Sequence, residues 1–333
     1  MDQVALQDRL GAKIERDSGG ARKLSYFHVM PEGHAGLTFG YGESDATGRK
    51  QDFILKIAPP GVARRGNTDV YRQGLLLRTL HAAGLAVPDV PMDSDREDEL
   101  GSPYIVMQCL PGRTFVVWEP HSSFDLGPES VSQIWQQAAT ALAGIHAYPW
   151  RDTLSGWQEP RKPAEELAYW PKILDKAQEP RWIEKGRKLA SALERRIPPD
   201  GPVGVIHGDY QPGNVLYDGL LLTGIIDWEL TGIGSQTLDL GWLSMMNDRQ
   251  CWQPEYQPAV ALSRDEIVAH YETARGHKVE NLDWFQALAC YRMGSIACLN
   301  VRLHRTGRRI DPMWDRFASS IDTLFDRGLE LCH

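Results

Sequence analysis

The stretch 203–230, VGVIHGDYQPGNVLYDGLLLTGIIDWEL, decides how the rest of the chain is read. An apolar, strand-like run delivers His207-Gly208-Asp209, and Asn214 follows five residues after Asp209. VLY and LLLTGII flank Asp218-Gly219, a dipeptide that tolerates positive φ and so favours the tight turn of a β-hairpin. Asp227 stands at the end of the second arm, thirteen residues after Asn214. A hairpin of that length brings its ends together, so Asp209, Asn214 and Asp227 are expected at one rim. A carboxylate with an amide oxygen suits Mg²⁺, a hard ion that takes oxygen ligands and keeps waters and phosphate oxygens. A second carboxylate nearby can accept a proton from a hydroxyl. These are the parts of a phosphoryl-transfer site, where positioning and charge neutralisation do most of the work. Each residue alone is equally an ordinary turn residue. The three at this spacing beside His-Gly-Asp favour the site.

Upstream, the chain is rich in strand patterns. Residues 1–15 form an amphipathic helix with Leu6, Leu10 and Ile14 four apart. KLSYFHVM, GLTFGYG and DFILKIA follow, separated by turn residues as antiparallel strands are. The tract 67–84 turns helical, with Asn67, Thr68 and Asp69 as N-cap oxygens, Leu76, Leu77 and Leu80 as a stripe, and Gly84 as its stop. PYIVMQCL is a further buried strand. Between them MDSDREDEL, with five acids and one Arg, is expected as a solvated hairpin tip. After Pro111-Gly112 helices dominate: 128–146 with Pro128 at the first helical position, then 163–177, 181–196, and 236–333. The expected division is 1–107, a small antiparallel β-rich lobe, and 108–333, a large mainly helical lobe.

Composition bounds the function classes. The 333 residues suffice for one large or two modest domains. The net charge of −8 argues against a general nucleic-acid binder, which is more often basic. No apolar run approaches the roughly 20 residues of a membrane span, and MDQVALQDRLGAKI lacks the charged-then-apolar pattern of a secretory leader. Five cysteines, odd in number and without a CxxC pair, fit free thiols in a reducing cytoplasm. No nucleic-acid or membrane partner is expected.

HGDYQPGN followed by IIDWE resembles the catalytic loop and metal-binding Asp of the aminoglycoside phosphotransferase family, small-molecule kinases with a protein-kinase-like fold. The resemblance is specific over 200–243, moderate over 30–112, and weak over 113–196 and beyond 250. It implies a bilobal α+β kinase-like fold. It implies that Asp209 orients or deprotonates the acceptor hydroxyl, that Asn214 and Asp227 hold Mg²⁺, and that His207 supports the loop. In GIGSQTLDLGW it makes Asp239 an anchor of that loop. The DWE form and Val87-Pro88-Asp89-Val90 are most similar to a bacterial branch, akin to the kinase-like domain fused to some acyl-CoA dehydrogenases.

The same resemblance assigns the small lobe. Lys56 lies in an apolar strand, on the side opposite Phe53, Leu55 and Ile57, and the family lysine there reaches the nucleotide phosphates. Gly33 and Gly36 occupy the turn that should cover those phosphates, with N–H groups free to approach closely. The connector Met107–Leu110, with Gln108 and Leu110, should present backbone groups to the purine of ATP or GTP. Kinases pair the lysine with a Glu on the next helix. Here Gln73 stands at the aligned position, and no acid occurs between Val70 and Pro88. A Gln accepts a hydrogen bond from Lys56 but lacks the charge-assisted attraction.

Three readings stay open at this point. One is a Mg²⁺-dependent kinase for a hydroxyl of a small, partly apolar molecule. The second is an aminoglycoside or macrolide antibiotic kinase. The third is a non-catalytic nucleotide-binding pseudokinase, suggested by Gln73 and the sparse glycines. Trp150, Trp157, Tyr169, Trp170 and Trp182 lie in a segment, 150–186, with seven acids and seven bases, which fits a polycation pocket poorly. Most of these rings also fit a helix core. Arg302, His304, Arg305, Arg308 and Arg309 are either an anion site or a solvated helix end.

Overall fold

The computed structural model describes residues 2–30 and 37–333. Two compact units emerge, Met1–Pro111 with Thr223–Leu230, and Gly112–Leu222 with Thr231–His333. The boundary thus falls after Pro111 rather than 107, and a short return segment joins the first unit. That segment is tied there by its own bonds. Thr223 Oγ1 donates to the Pro111 carbonyl at 2.5 Å, and the Ile225 N–H to the Ala86 carbonyl at 2.7 Å.

In the first unit, α1 (Gln3–Asp17) starts where the Asp2 carboxylate accepts from the Val4 and Ala5 N–H groups. The strands are β1 (Arg22–Val29), β2 (Leu37–Asp45) and β3 (Lys50–Ile57), followed by α2 (Arg72–Ala82), β4 (Met92–Ser94), α3 (Glu97–Leu100) and β5 (Tyr104–Gln108). The sheet runs β1-β2-β3-β5-β4, with every neighbouring pair antiparallel. Strand alternation sorts its side chains. Phe39, Tyr41, Phe53, Leu55 and Ile57 join Leu6, Leu10 and Ile14 of α1 in one buried core. Lys56 therefore faces away from α1.

Two expectations change. The helix expected from 67 begins at Arg72, because Thr68 is consumed in a 3-10 turn, Gly66–Thr68, where its hydroxyl bonds Ala63 and Arg65. The acidic stretch 92–100 does lead into a hairpin connection, since β4 and β5 pair antiparallel with α3 between them and Asp95, Glu97 and Asp98 are exposed, but it is not solvated throughout. Ser94 and Leu100 are buried, and Glu99 accepts from Tyr104 at 2.7 Å and pairs with Lys13 at 3.0 Å. Glu99 is thus not a solvated acid but has two partners within the unit, Tyr104 and Lys13.

The second unit opens with β6 (Arg113–Thr114) and α4 (Pro128–Ala147), with Pro128 opening the helix. Then come α5 (Arg151–Leu154), α6 (Pro163–Tyr169), α7 (Pro171–Leu174) and α8 (Pro180–Glu194). The single helix expected over 163–177 is split at Trp170-Pro171, as a proline without an N–H must start a new helix. Next are β7 (Val203–Ile206), β8 (Val215–Asp218), β9 (Leu221–Ile225), whose residues from Thr223 onward belong to the first unit, and β10 (Gly232–Ser235). β7 pairs antiparallel with β10, and β6-β8-β9 form a small sheet whose Gly219 turn has φ +61°. Five helices complete the unit: α9 (Thr237–Asn247), α10 (Arg264–Arg275), α11 (Leu282–Arg305), α12 (Met313–Phe317) and α13 (Ser320–Leu331). Every residue of α9 is buried, and α11 packs on α9 and α13.

Candidate active site

In the second unit, β7 ends at Ile206 and hands the chain to His207-Gly208-Asp209. The backbone of this loop is gripped from two sides. Asp239, fully buried in the first turn of α9, accepts the His207 N–H at 2.6 Å and the Gly208 N–H at 2.8 Å. The Gly208 carbonyl accepts from Arg292 Nη2 of α11 at 2.8 Å. Gly208 has φ +88°, a conformation that glycine adopts without steric cost. Behind Asp239, His146 Nε2 lies 3.3 Å from Oδ2, and the Tyr271 hydroxyl is 2.7 Å from His146 Nδ1. Burial pulls the His146 imidazole below its ordinary pKa against the pull of Asp239, so the ring is neutral and donates through Nε2. Burial would push the Asp239 carboxyl up. The His146 bond and the loop N–H groups outweigh it and hold the group below the usual range, as a carboxylate.

So held, the loop presents a compact polar group. Asn214 Nδ2 donates to the Asp209 carbonyl at 2.8 Å and to Asp209 Oδ2 at 3.1 Å. Gln211 Nε2 donates to Asp209 Oδ1 at 3.0 Å. His207 is buried and its Nδ1 accepts the Asp209 N–H at 3.3 Å, the bond of a ring that supports the backbone. With its amide nitrogen turned to Asp209, Asn214 keeps its carbonyl oxygen for another partner.

The first unit holds Lys56. It is 6% exposed, and its Nζ lies 3.2 Å from Asp227 Oδ1 and 3.3 Å from Glu229 Oε2. Burial would lower the ammonium's pKa, but the two carboxylates outweigh it and hold it above the ordinary value. Asp227 sits at φ +61°, one of two described non-glycine residues in the left-handed region. A 3-10 turn, Trp228–Leu230, follows at once, and the buried Trp228 ring donates back to the Ile225 carbonyl at 2.9 Å. This bent backbone aims Asp227 and Glu229 at one lysine.

Gln73 does not take the expected part. It is buried on α2, makes no hydrogen bond to Lys56, and its Nε2 has no hydrogen-bond partner among the described residues. In the connector, the Gln108 N–H is spent on the Asp89 carbonyl and the Cys109 N–H on the Asp52 carbonyl. Leu110 packs its side chain over Gly224, where a Cβ would collide with Leu110 Cδ1. Gly33 and Gly36 lie outside the described residues.

The oxygen donors fit a hard divalent cation. Asp227 and the Asn214 carbonyl offer oxygen only, and among the described residues no cluster of three His, Cys, Asp or Glu forms a metal site of its own.

Two participants were not found by reading the sequence. Glu229 stands inside the quoted DWE, but its link to Lys56 spans 173 positions. Arg292 is the only charged residue of the mostly apolar run 284–301, and a charge in such a run is rarely buried unless paired. It is 3% exposed, with its guanidinium 5.1 Å from the Trp170 ring centre, 5.0 Å from that of Trp242, and 3.6 Å from Glu166. Of the aromatics from 150–186, Trp150, Trp170 and Trp182 are buried as helix core, while Tyr169 is exposed beneath Lys172. The arginine cluster is largely engaged within the fold. Arg305 pairs with Glu179 and Asp315, His304 with Asp315, and Arg302 donates to the Lys176 carbonyl.

Set against known proteins, residues 41–277 match the family model described as "Phosphotransferase enzyme family". The chain belongs to that family. It is 27% identical over 270 residues to an aminoglycoside 3'-phosphotransferase of Streptomyces fradiae, covering 79% of this chain and 93% of that one. It is 24% identical over 299 residues to acyl-CoA dehydrogenase family member 11 of Gallus gallus, covering 84% of this chain but 38% of the relative. The chain therefore spans well under half of the dehydrogenase relatives it matches. Among solved structures, a macrolide 2'-phosphotransferase from Brachybacterium faecium superposes with a TM-score of 0.59 at 16% identity, over 94% of this chain and 97% of that one. The GDP complex of an aminoglycoside 2'-phosphotransferase IIIa variant does so with a TM-score of 0.62 at 14% identity, over 97% and 98%. These likenesses show the kinase-like fold.

Proposed function

We propose that this phosphotransferase moves the γ-phosphate of ATP or GTP to a hydroxyl of a small molecule, with Mg²⁺ bound by Asn214 and Asp227. The observation that carries the reading is the loop 207–214, where a buried scaffold holds Asp209 toward its two amide neighbours. Asp209 would accept the acceptor's hydroxyl hydrogen and align its oxygen with phosphorus, a positioning role worth orders of magnitude in rate. Lys56 would steady the nucleotide phosphates by charge and hydrogen bond. His207 would act through the loop backbone and not touch the reactants. Mg²⁺, when bound, neutralises charge on the phosphate oxygens. With the Gln108 and Cys109 N–H groups already occupied, the Leu110 N–H is the connector donor for a purine edge. Gly33 and Gly36 would cover the phosphates.

The acceptor is a hydroxylated small molecule in this reading; the charge balance of 150–186 fits a polycation poorly, while Trp150, Trp170 and Trp182, spent on the helix core, do not supply an apolar wall. An aminoglycoside acceptor is the second reading, favoured by the likeness to the Streptomyces fradiae enzyme over 93% of its length. The pseudokinase reading loses its main support, because Lys56 has carboxylate partners without position 73. No described helix is long and apolar enough to cross a membrane, and the five unpaired thiols support a cytoplasmic location. Asp209→Ala tests the assignment. Phosphate transfer to any acceptor found by screening should vanish while nucleotide affinity stays within a few-fold. Retained turnover would refute the role of Asp209.

A further inference from the structure

A lysine that meets phosphates must be held in place before they arrive, or its flexible stem wastes the charge. The helix that ordinarily supplies the holding carboxylate has none here: α2 offers Gln73, and no acid lies between Val70 and Pro88. Gln73 makes no bond to Lys56, and its buried amide nitrogen has no partner among the described residues. Glu229 does bond Lys56, at 3.3 Å, with its side chain 12% exposed and that of the lysine 8%. It stands two residues after Asp227, on the turn fixed by the Trp228 ring.

We propose that Glu229 is the positioning residue for Lys56 in this protein, replacing the missing helix carboxylate, so that the lysine's anchor and Asp227 are carried on one turn. This rests on the kinase reading above. One ammonium here faces two carboxylates, an excess of negative charge that suits a place receiving a divalent cation. Glu229 gives Lys56 a partner that persists when Asp227 turns its oxygens to a metal. Without Glu229, Asp227 would be the lysine's sole carboxylate among the described residues, and metal and lysine would compete for it. Loss of Glu229 should then weaken nucleotide binding and raise the Mg²⁺ concentration that binding requires, and the second effect would not follow from a merely structural role.

The experiment is calorimetric titration of ATP and GTP at graded Mg²⁺ into the wild type, Glu229→Gln, Glu229→Asp, Lys56→Met and the Lys56→Met/Glu229→Gln double variant. Loss of one charge-assisted bond predicts about ten- to hundred-fold weaker nucleotide binding for Glu229→Gln at fixed Mg²⁺, with the Mg²⁺ midpoint moved upward. Glu229→Asp, which keeps the charge, should recover part of both. In the Lys56→Met background, Glu229→Gln should change the affinity less than two-fold, because the residue acts through the lysine. Wild-type affinity and midpoint in Glu229→Gln would overturn the proposal, as would an equal loss with and without Lys56. If Glu229→Gln does not fold, Glu229→Asp decides alone, and an unchanged Mg²⁺ midpoint there overturns the proposal. A wild type that binds neither nucleotide overturns the kinase reading itself, and this inference with it.

Discussion

Asp239→Asn is the sharpest perturbation of the scaffold, because it changes one atom's chemistry and no volume. The carboxylate accepts from three donors: the His207 N–H at 2.6 Å, the Gly208 N–H at 2.8 Å and His146 Nε2 at 3.3 Å. An amide has one acceptor oxygen. Whichever way it turns, at least one loop N–H meets an NH₂ group, donor against donor, in a site with no exposure. One remaining bond drops from charge-assisted to neutral, a loss of about 1 kcal/mol, and one buried donor is left unsatisfied at about 1–3 kcal/mol. The expected destabilisation is about 2–4 kcal/mol, read from the shift of the urea midpoint at constant slope. The loop that loosens carries Asp209. Displacement by about an ångström costs on the order of a hundred-fold in rate, so turnover should fall far more than nucleotide affinity. A stability change below about 0.5 kcal/mol, the usual range of an indifferent surface substitution, with turnover intact, would refute the reasoning.

Further expectations follow from the same contacts. Gln73→Met keeps the volume and removes a buried, unpartnered amide, so stability should rise by about 1 kcal/mol and nucleotide affinity should not change; a loss of affinity would return Gln73 to the site. The folded state holds His146 and Asp239 below their ordinary pKa values, so the unfolded chain binds more protons as pH falls. Stability should therefore decline from about pH 6.5 downward and further below about pH 4, with the lower limb shallower in Asp239→Asn, as acid titration followed by urea unfolding would report. Of the five unpaired thiols only Cys109 is exposed. One thiol should react with an aromatic disulfide reagent in the native protein and five in urea, and bound nucleotide should slow the native one, which adjoins the connector's Leu110.

Legibility from sequence followed the range of each interaction. The strands β1–β3 and the helices α1 and α4 were readable because their periodicities of two and 3.6 are local. The loop 207–214 was readable because Asp209, Gln211 and Asn214 bond within five residues of one another. The hairpin of the acidic stretch 92–100 was legible, but composition does not say that Glu99 is claimed by Tyr104 and Lys13. Glu229 and Arg292 were silent for the same reason on a larger scale: Lys56 is 173 positions from the first, and Gly208 is 84 from the second. Gln73 shows the reverse error. Its place on the helix after the lysine strand suggested a partner, while the buried geometry assigns that bond to another residue.

The central claim is a Mg²⁺-dependent nucleotide site that contains Asp227. Calorimetric titration of ATP and of GTP, with and without Mg²⁺, into the wild type and Asp227→Ala tests it most directly. The account predicts binding of at least one nucleotide that depends on Mg²⁺ and weakens in the variant. Binding of neither nucleotide, or equal Mg²⁺-dependent binding by both proteins, would contradict it.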